Sequence, residues 1–272
     1  MNLVVLSPLF SPLQAVPDRI QENCRKFANH MDSFGVPVHY LDCEPDTGLW
    51  QKERLINHAV ANLPAKYDAI AWIDADLTFM NEQWVLFTEA NLQQRKVVQL
   101  FSDVIRLESN GSIQDGPRKS AVRGWLDRSG PDPASPGYAW AARRELFDHG
   151  GLYDADIVGG GDSAAFHGWA GRSWNRPIAP AQQSHYEEWL RRSNAYVQGS
   201  IGYVDGLILH HWHGDIKNRQ YNTRYNILQK HGFDPLTHLR LDPAGHWTWS
   251  AAAPVGLVND VREYFRARRD DG

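Results

Sequence analysis

Three short apolar runs, at residues 2–6, 36–41 and 69–73, are separated by stretches of helical period, and this alternation restricts the fold more than any other feature. Between the first two, Ile20, Cys24, Phe27 and Met31 recur at intervals of three and four, which places them on one helix face over 17–34. Gly35 closes that helix. A second helix is expected over 48–62, stopped by Pro64. Strand–helix–strand order implies parallel neighbours in one sheet. Residues 82–93 read as a further helix and 96–101 as a further strand. The expected class is α/β, a central mixed, mostly parallel sheet flanked by helices.

The second half is less regular. Residues 108–137 contain SNGSIQDGPRK and RSGPDPASPG, whose Gly, Pro, Ser and Asp content reads as loop. A loop of that length is usually functional or disordered. A strand is expected at 138–142, a short helix at 143–149 and a glycine-rich turn entering a helix at 157–166. Another strand follows at 206–213, then a helix at 219–231 and a basic amphipathic helix at 261–269. Without repeats or a low-complexity linker, the simplest account is one domain. Residues 1–107 would form a nucleotide-sugar-binding half, 108–260 an acceptor-binding and catalytic half, and 261–272 a basic tail.

Composition narrows the class of partner. The 272 residues are 42% hydrophobic and 22% charged with a formal net charge of −4, so a nucleic acid would need a local basic face. Eleven Trp imply an aromatic core or stacking platforms. The two cysteines, Cys24 and Cys43, fit a reducing compartment. The start MNLVVLSPLF lacks a basic n-region and reads as a first strand, not a signal peptide. No run approaches membrane-spanning length. No membrane association and a cytoplasmic location, the host cytoplasm if the gene belongs to a phage, are expected.

Three constellations carry chemistry. Asp74-Ala75-Asp76 follows the apolar run 69–73, at the carboxyl end of a buried strand, where open α/β sheets bind ligands. In extended backbone the two carboxylates point to one side, and such acids are costly to hold together without a cation. Hard divalent cations take oxygen ligands and complete their shells with substrate phosphates. Asp-x-Asp by itself is a weak signal, and its context is what raises it. Leu209-His210-His211-Trp212-His213-Gly214-Asp215 is the second. Read as a strand, it puts His211 and His213 on one face, and either could be the ligand. Imidazole with carboxylate suits Mn²⁺ better than Ca²⁺, with Mg²⁺ the alternative. Gly159-Gly160-Gly161-Asp162 is the third. Its glycines let backbone approach a ligand closely, and Asp162 would face whatever binds there.

The order D-x-D, PGYAWAARRELFDHGGLYD, GGGD, HxWHGDxKNR resembles the metal-dependent GT-A glycosyltransferases, in particular the galactosyltransferase-like group, over roughly residues 48–225. The resemblance implies a UDP-sugar donor. It makes Asp76 the metal ligand, Asp74 a support of ribose and metal shell, His213 the metal histidine and Asp162 the catalytic base. Lys52 and Asn57 match a donor-contacting helix, and Ser7, Pro8, Gly160 and Gly161 are expected beside the donor. Trp125, Tyr138, Trp140 and His211 are expected toward the acceptor. One departure is that the Glu preceding the family's base is Gly161 here, which leaves the acceptor open.

The implied reaction is inverting transfer of a hexose, with Asp162 accepting the acceptor's proton. The arginines and lysines at 118, 119, 123, 128, 191, 192, 217, 219 and 224 would suit DNA carrying a hydroxymethylated pyrimidine, presented by base flipping. A saccharide or small molecule is the other reading. Two other classes compete: a non-heme iron oxygenase built on His213-Gly214-Asp215 and a non-catalytic carbohydrate-binding protein. A glycoside hydrolase fits poorly, because its two carboxylates must flank the scissile bond.

Overall fold

The computed structural model describes residues 1–43, 47–128 and 135–270. Its elements begin with β1 (Leu3–Pro8), α1 (Asp18–Asp32), β2 (Val38–Leu41), α2 (Lys52–Asn62), β3 (Ala69–Ile73), β4 (Leu77–Phe79) and α3 (Trp84–Gln94). They continue with β5 (Val97–Gln99), β6 (Asp103–Leu107), β7 (Ile113–Lys119), α4 (Ala121–Leu126), β8 (Ala139–Arg143), α5 (Glu145–Asp148) and α6 (Gly161–Trp169). The remainder comprises α7 (Pro180–Val197), β9 (Ile201–Tyr203), β10 (Leu207–His210), α8 (Tyr225–Lys230), α9 (Pro235–His238), β11 (Leu239–Leu241), β12 (Trp247–Trp249) and α10 (Val255–Arg268).

The chain is α/β, as the alternation of runs requires. The main sheet has the order β2-β1-β3-β8-β5-β9. Every strand in it runs the same way except β8, which is antiparallel to both neighbours. All five β3 residues are buried, as expected for a strand covered on both faces. Alternate residues serve two cores. Val4, Leu6, Ile70 and Trp72 pack on one side with Trp140, Trp169 and Trp189, while Leu3, Val5, Ala71 and Ile73 pack on the other with Phe27, Trp84 and Phe101. Much of the tryptophan content is therefore core. No described helix is long and apolar enough to cross a membrane.

A second sheet, β4-β10-β6-β7, carries residues that the loop-like composition of 108–137 conceals. β7 contains Pro117, which a strand tolerates at a sheet edge where no ladder hydrogen bond is lost, and β7 is such an edge. Ser120 caps α4 by accepting from the Arg123 amide. The strand expected over 206–213 ends at His210. The helix expected over 219–231 is a single 3-10 turn, Ile216–Arg219, followed after a break by α8. The longest helix, α7, had no counterpart in the sequence reading. The C-terminal helix starts earlier, at Val255.

Candidate active site

Strand direction fixes where the site forms. β1 and β3 end at the same edge, and antiparallel β8 begins there, with Ile73 opposite Ala139. The Asp74 amide donates to the Tyr138 carbonyl at 2.9 Å. After Asp74 the backbone turns instead of remaining extended, so the two acids of the Asp-x-Asp meet different side chains. Asp74 Oδ1 lies 2.7 Å from Lys52 Nζ, whereas Asp76 faces the histidine segment.

The β4–β10 ladder builds that second contact. Leu77 pairs with His210, and the His211 amide donates to the Asp76 carbonyl at 2.8 Å. Because β10 ends at His210, the chain turns and brings His213 back beside it. Asp76 Oδ2 is 2.9 Å from His213 Nε2 and 3.5 Å from His210 Nε2. One ligand atom from each of Asp76, His210 and His213 lies within 4.8 Å of the others. His211 points away, with Nε2 2.9 Å from the Thr78 hydroxyl. The histidine that joins His213 is thus His210, and the strand-face reading that put His211 there is corrected.

This trio fits a divalent ion. Asp76 Oδ1 is buried without a hydrogen-bond partner. Burial works against ionisation of Asp76, yet His210 and His213 hold its carboxyl well below the usual range. Burial, reinforced by the charge of Arg219, pushes His213 down to about 4, so its imidazole is neutral, the form that binds metals. Arg219 Nη2 stands 2.7 Å from the same Nε2 that meets Asp76. It is also 2.9 Å from Nδ1, so Arg219 can donate to Nδ1 and leave Nε2 to Asp76 or to a metal ion held beside it.

Lys52, the first residue of α2, links Asp74 to the acid that follows the glycine turn. Its ammonium sits 2.7 Å from Asp74 Oδ1 and 2.8 Å from Asp162 Oδ2. Burial alone would favour neutral lysine, but Asp162, Asp74 and Glu53 raise its pKa further above the ordinary value. Asp74 is pushed up to about 6 by burial and by the charges of Asp162 and Asp76, with Lys52 opposing. Asp162 occupies the first turn of α6.

Two glycines before it are required sterically. Gly160 has φ 119°, and a Cβ there would collide with the Tyr225 hydroxyl. A Cβ at Gly161 would collide with the Glu53 carboxyl. Glu53 is therefore a buried acid packed where a side chain of residue 161 would begin. Burial and the neighbouring Asp162 push it up to about 8 against the pull of Lys52, so it is protonated at neutral pH.

These groups open onto one cleft of about 530 Å³. Pro8, Lys52, Asp74, Asp76, Tyr138, Gly160, Asp162 and His213 line it, as the sequence reading expected. Other expected residues do not. Ser7 is buried and donates to the Ile73 carbonyl. The Asn57 amide bonds the Leu152 backbone and Asp154 and borders a different cleft, of about 540 Å³. Trp140 is core and donates to the Pro136 carbonyl. Trp125 packs against the first core, and Gly161 lies beneath the surface against Glu53. His210, from the histidine cluster, also lines the cleft, as do Trp50, Arg106, Tyr221 and Arg268, which no local pattern in the sequence marks. Trp50 meets Phe10 edge to face at 5.1 Å, next to the end of β1.

No family model matches the chain, and no curated protein matches it. Several solved structures resemble it. The catalytic domain of Drosophila β1,4-galactosyltransferase 7, in complex with xylobiose, aligns at 21% identity and TM-score 0.37 over 60% of this chain. The chain spans 58% of that domain. Glucosyl-3-phosphoglycerate synthase from Mycobacterium tuberculosis, with Mn²⁺, uridine diphosphate and phosphoglyceric acid, aligns at 12% identity and TM-score 0.40, covering 85% of this chain and 75% of its own. A glycosyltransferase involved in glycosylating the major capsid of PBCV-1 aligns at 11% and 0.39, over 80% and 98%.

Proposed function

We propose that the chain is a metal-dependent GT-A glycosyltransferase that moves a hexose from a UDP-sugar to an acceptor hydroxyl with inversion at the anomeric carbon. The observation that carries this is the presence, in one cleft, of the Asp76–His210–His213 trio and of Asp162, which Lys52 pairs with Asp74, two residues before Asp76.

When bound by the trio, Mn²⁺ or Mg²⁺ would neutralise charge on the donor diphosphate. Arg219, against His213, adds a fixed positive charge on the same side. Lys52 engages only one oxygen of Asp162; the other is left to accept the proton of an acceptor hydroxyl. General-base help of this kind contributes roughly 10²–10⁴-fold. Lys52 holds Asp162 in place through a 2.8 Å ion pair to that one oxygen. Buried, protonated Glu53 adds no second negative charge there.

The acceptor reading shifts. Six of the nine basic groups that would suit DNA are met by acids of their own neighbourhood, Lys217 by Asp215 among them, while Arg219 and Arg224 line the cleft. Arg118 pairs with Asp115, Arg123 with Asp103 and Asp127, Lys119 with Asp127, and Arg191 and Arg192 with Glu188. This arrangement supports a saccharide or small-molecule acceptor over a hydroxymethylated base in DNA.

A hydrolase is disfavoured, because Asp74 and Asp162 share one ammonium and leave no room between them for a glycosidic bond. One observation favours a second reading: two histidines and a carboxylate are also the donor set of non-heme iron oxygenases. Asp215, their sequence-level candidate, pairs instead with Lys217, and a mostly parallel sheet replaces the double-stranded β-helix.

The test is incubation with a UDP-hexose panel and Mn²⁺ plus saccharide and hydroxymethylated-DNA acceptors, followed by mass spectrometry and NMR of the anomeric centre. Asp162→Asn should bind UDP-sugar normally and lose at least a hundredfold in transfer. Iron-dependent 2-oxoglutarate consumption, or UDP-sugar binding indifferent to Mn²⁺, would end this reading.

A further inference from the structure

The cleft holds more buried positive charge than the donor chemistry uses. Arg224 is 7% exposed and lines the cleft. Its Nη2 reaches the Tyr225 hydroxyl at 2.9 Å and its Nη1 the Tyr264 hydroxyl at 3.5 Å. Its Nε is buried with no hydrogen-bond partner. Among the described residues no carboxylate lies within ion-pair distance of it; the nearby buried acid, Asp156, is taken by Arg176 at 2.6 Å.

A guanidinium removed from water without a counter-charge is costly unless something else supplies the charge. Its position identifies the side of the cleft concerned. A Cβ at Gly159 or Gly160 would come within 3.3 or 3.2 Å of its terminal nitrogens. These glycines lead directly into the first turn of α6, which carries Asp162. Arg219, not Arg224, stands at the metal trio.

We propose that Arg224, with the glycine turn at the start of α6, forms an anion subsite on the base side of the cleft, so that the acceptor carries a phosphate or carboxylate beside the hydroxyl that Asp162 deprotonates. The planar fork of arginine and the free backbone N–H groups of a helix start both suit oxyanions. The proposal rests on the glycosyltransferase reading for what the subsite serves.

The experiment separates the two. Enzyme saturated with UDP and Mg²⁺ is titrated with inorganic phosphate, dimethyl phosphate and acetate, following tryptophan fluorescence from Trp50 and Trp174, which line the same cleft. Phosphate or acetate should bind the UDP-saturated wild type, and Arg224→Gln should weaken that binding at least tenfold while changing UDP affinity less than twofold. Dimethyl phosphate binding as well as phosphate would point to a diester source, and its exclusion to a monoester or carboxylate. Arg224→Lys keeps the charge without the fork and should fall between. If no anion binds beside UDP, or Arg224→Gln weakens UDP equally, the subsite belongs to the donor and the proposal is overturned, with the transferase reading intact. An unchanged unfolding temperature shows that Arg224→Gln is folded; UDP binding by the wild type that is indifferent to Mg²⁺ or Mn²⁺ would count against the transferase reading instead.

Discussion

Lys52→Met tests the electrostatic core of the site. The substitution keeps the length of the stem and removes the ammonium that Asp74 and Asp162 share at 2.7 and 2.8 Å. Breaking a buried pair by deleting one partner costs about 3–5 kcal/mol; the low end applies because Asp74 keeps 30% of its side-chain surface in solvent. For a chain of this size each kcal/mol moves Tm by roughly 2–4 °C, so a loss of about 6–12 °C at pH 8 is expected. The loss must also depend on pH. Asp74 is held at about 6 in the fold against an ordinary 3.8, so its contribution to stability is highest at low pH and falls as pH rises toward 6. Without Lys52, which lowers that value, the fall continues to higher pH. Below 6 the acid is protonated in both proteins and the gap narrows. One unit of displacement is worth about 1.4 kcal/mol, so the Tm gap at pH 5 should be at least about 3 °C smaller than at pH 8. Scanning calorimetry of both proteins from pH 5 to 8 reads this directly, and Lys52→Met with Asp74→Asn should recover part of the loss. Equal gaps at the two pH values would show that Lys52 acts by packing and that the charge argument is wrong.

The histidines separate cleanly: His210→Ala should weaken Mn²⁺ binding at least tenfold by electron paramagnetic resonance, while His211→Ala, which loses only the Thr78 contact, should stay within twofold. Gly161→Ala should destabilise by about 1–3 kcal/mol in urea titration, because its Cβ collides with the buried Glu53 carboxyl. Truncating that carboxyl in Glu53→Ala should make the same change nearly neutral. Glu53 is held at about 8 against 4.5, so its contribution is fully present below 4.5 and is lost as pH rises through 8. Urea titrations at pH 5, 7 and 9 should therefore show Glu53→Gln gaining on the wild type at each step; a constant difference would contradict a buried protonated acid.

How far the sequence shows all this depends on the range of the interaction involved. β1, α1 and β3 were legible because each is specified by its own side chains: four or five apolar residues in a row, or four at helical spacing, favour burial whatever lies next to them. The 113–126 segment was not, since its Gly, Pro and Ser suit a loop equally well. Only the partner β6 makes an edge strand of residues that include Pro117. α7 escaped for a similar reason. Its buried residues, Gln182, Tyr186, Trp189, Ser193 and Val197, do keep helical spacing, but two of the five are polar and blur the apolar stripe that a periodic reading looks for.

The site divides along the same line. Asp76, Asp162 and His213 stand out because acids after a buried strand, an acid after three glycines and clustered histidines are each uncommon locally. What they do to one another is not local. Asp74 and Asp76, two residues apart, were expected to face one ligand; a turn gives one to Lys52 and the other to His213. His210 replaced His211 because β10 stops at His210, three residues short of the strand expected over 206–213, and with the ladder ending at Leu77–His210 the next three residues are free to fold back. The burial of Glu53 against Gly161 had no signature in either segment, yet it accounts for the position at which this chain departs from the galactosyltransferase-like pattern. A side chain at 161 is excluded because a carboxyl from α2 already fills its space. If an acid is needed beside Asp162, α2 supplies it from a different part of the chain, and the departure at Gly161 is then a change in the origin of the group and not its loss. Placing the acid where that pattern has it, Gly161→Glu combined with Glu53→Ala, should accordingly fold with near-native stability, whereas Gly161→Glu alone should not.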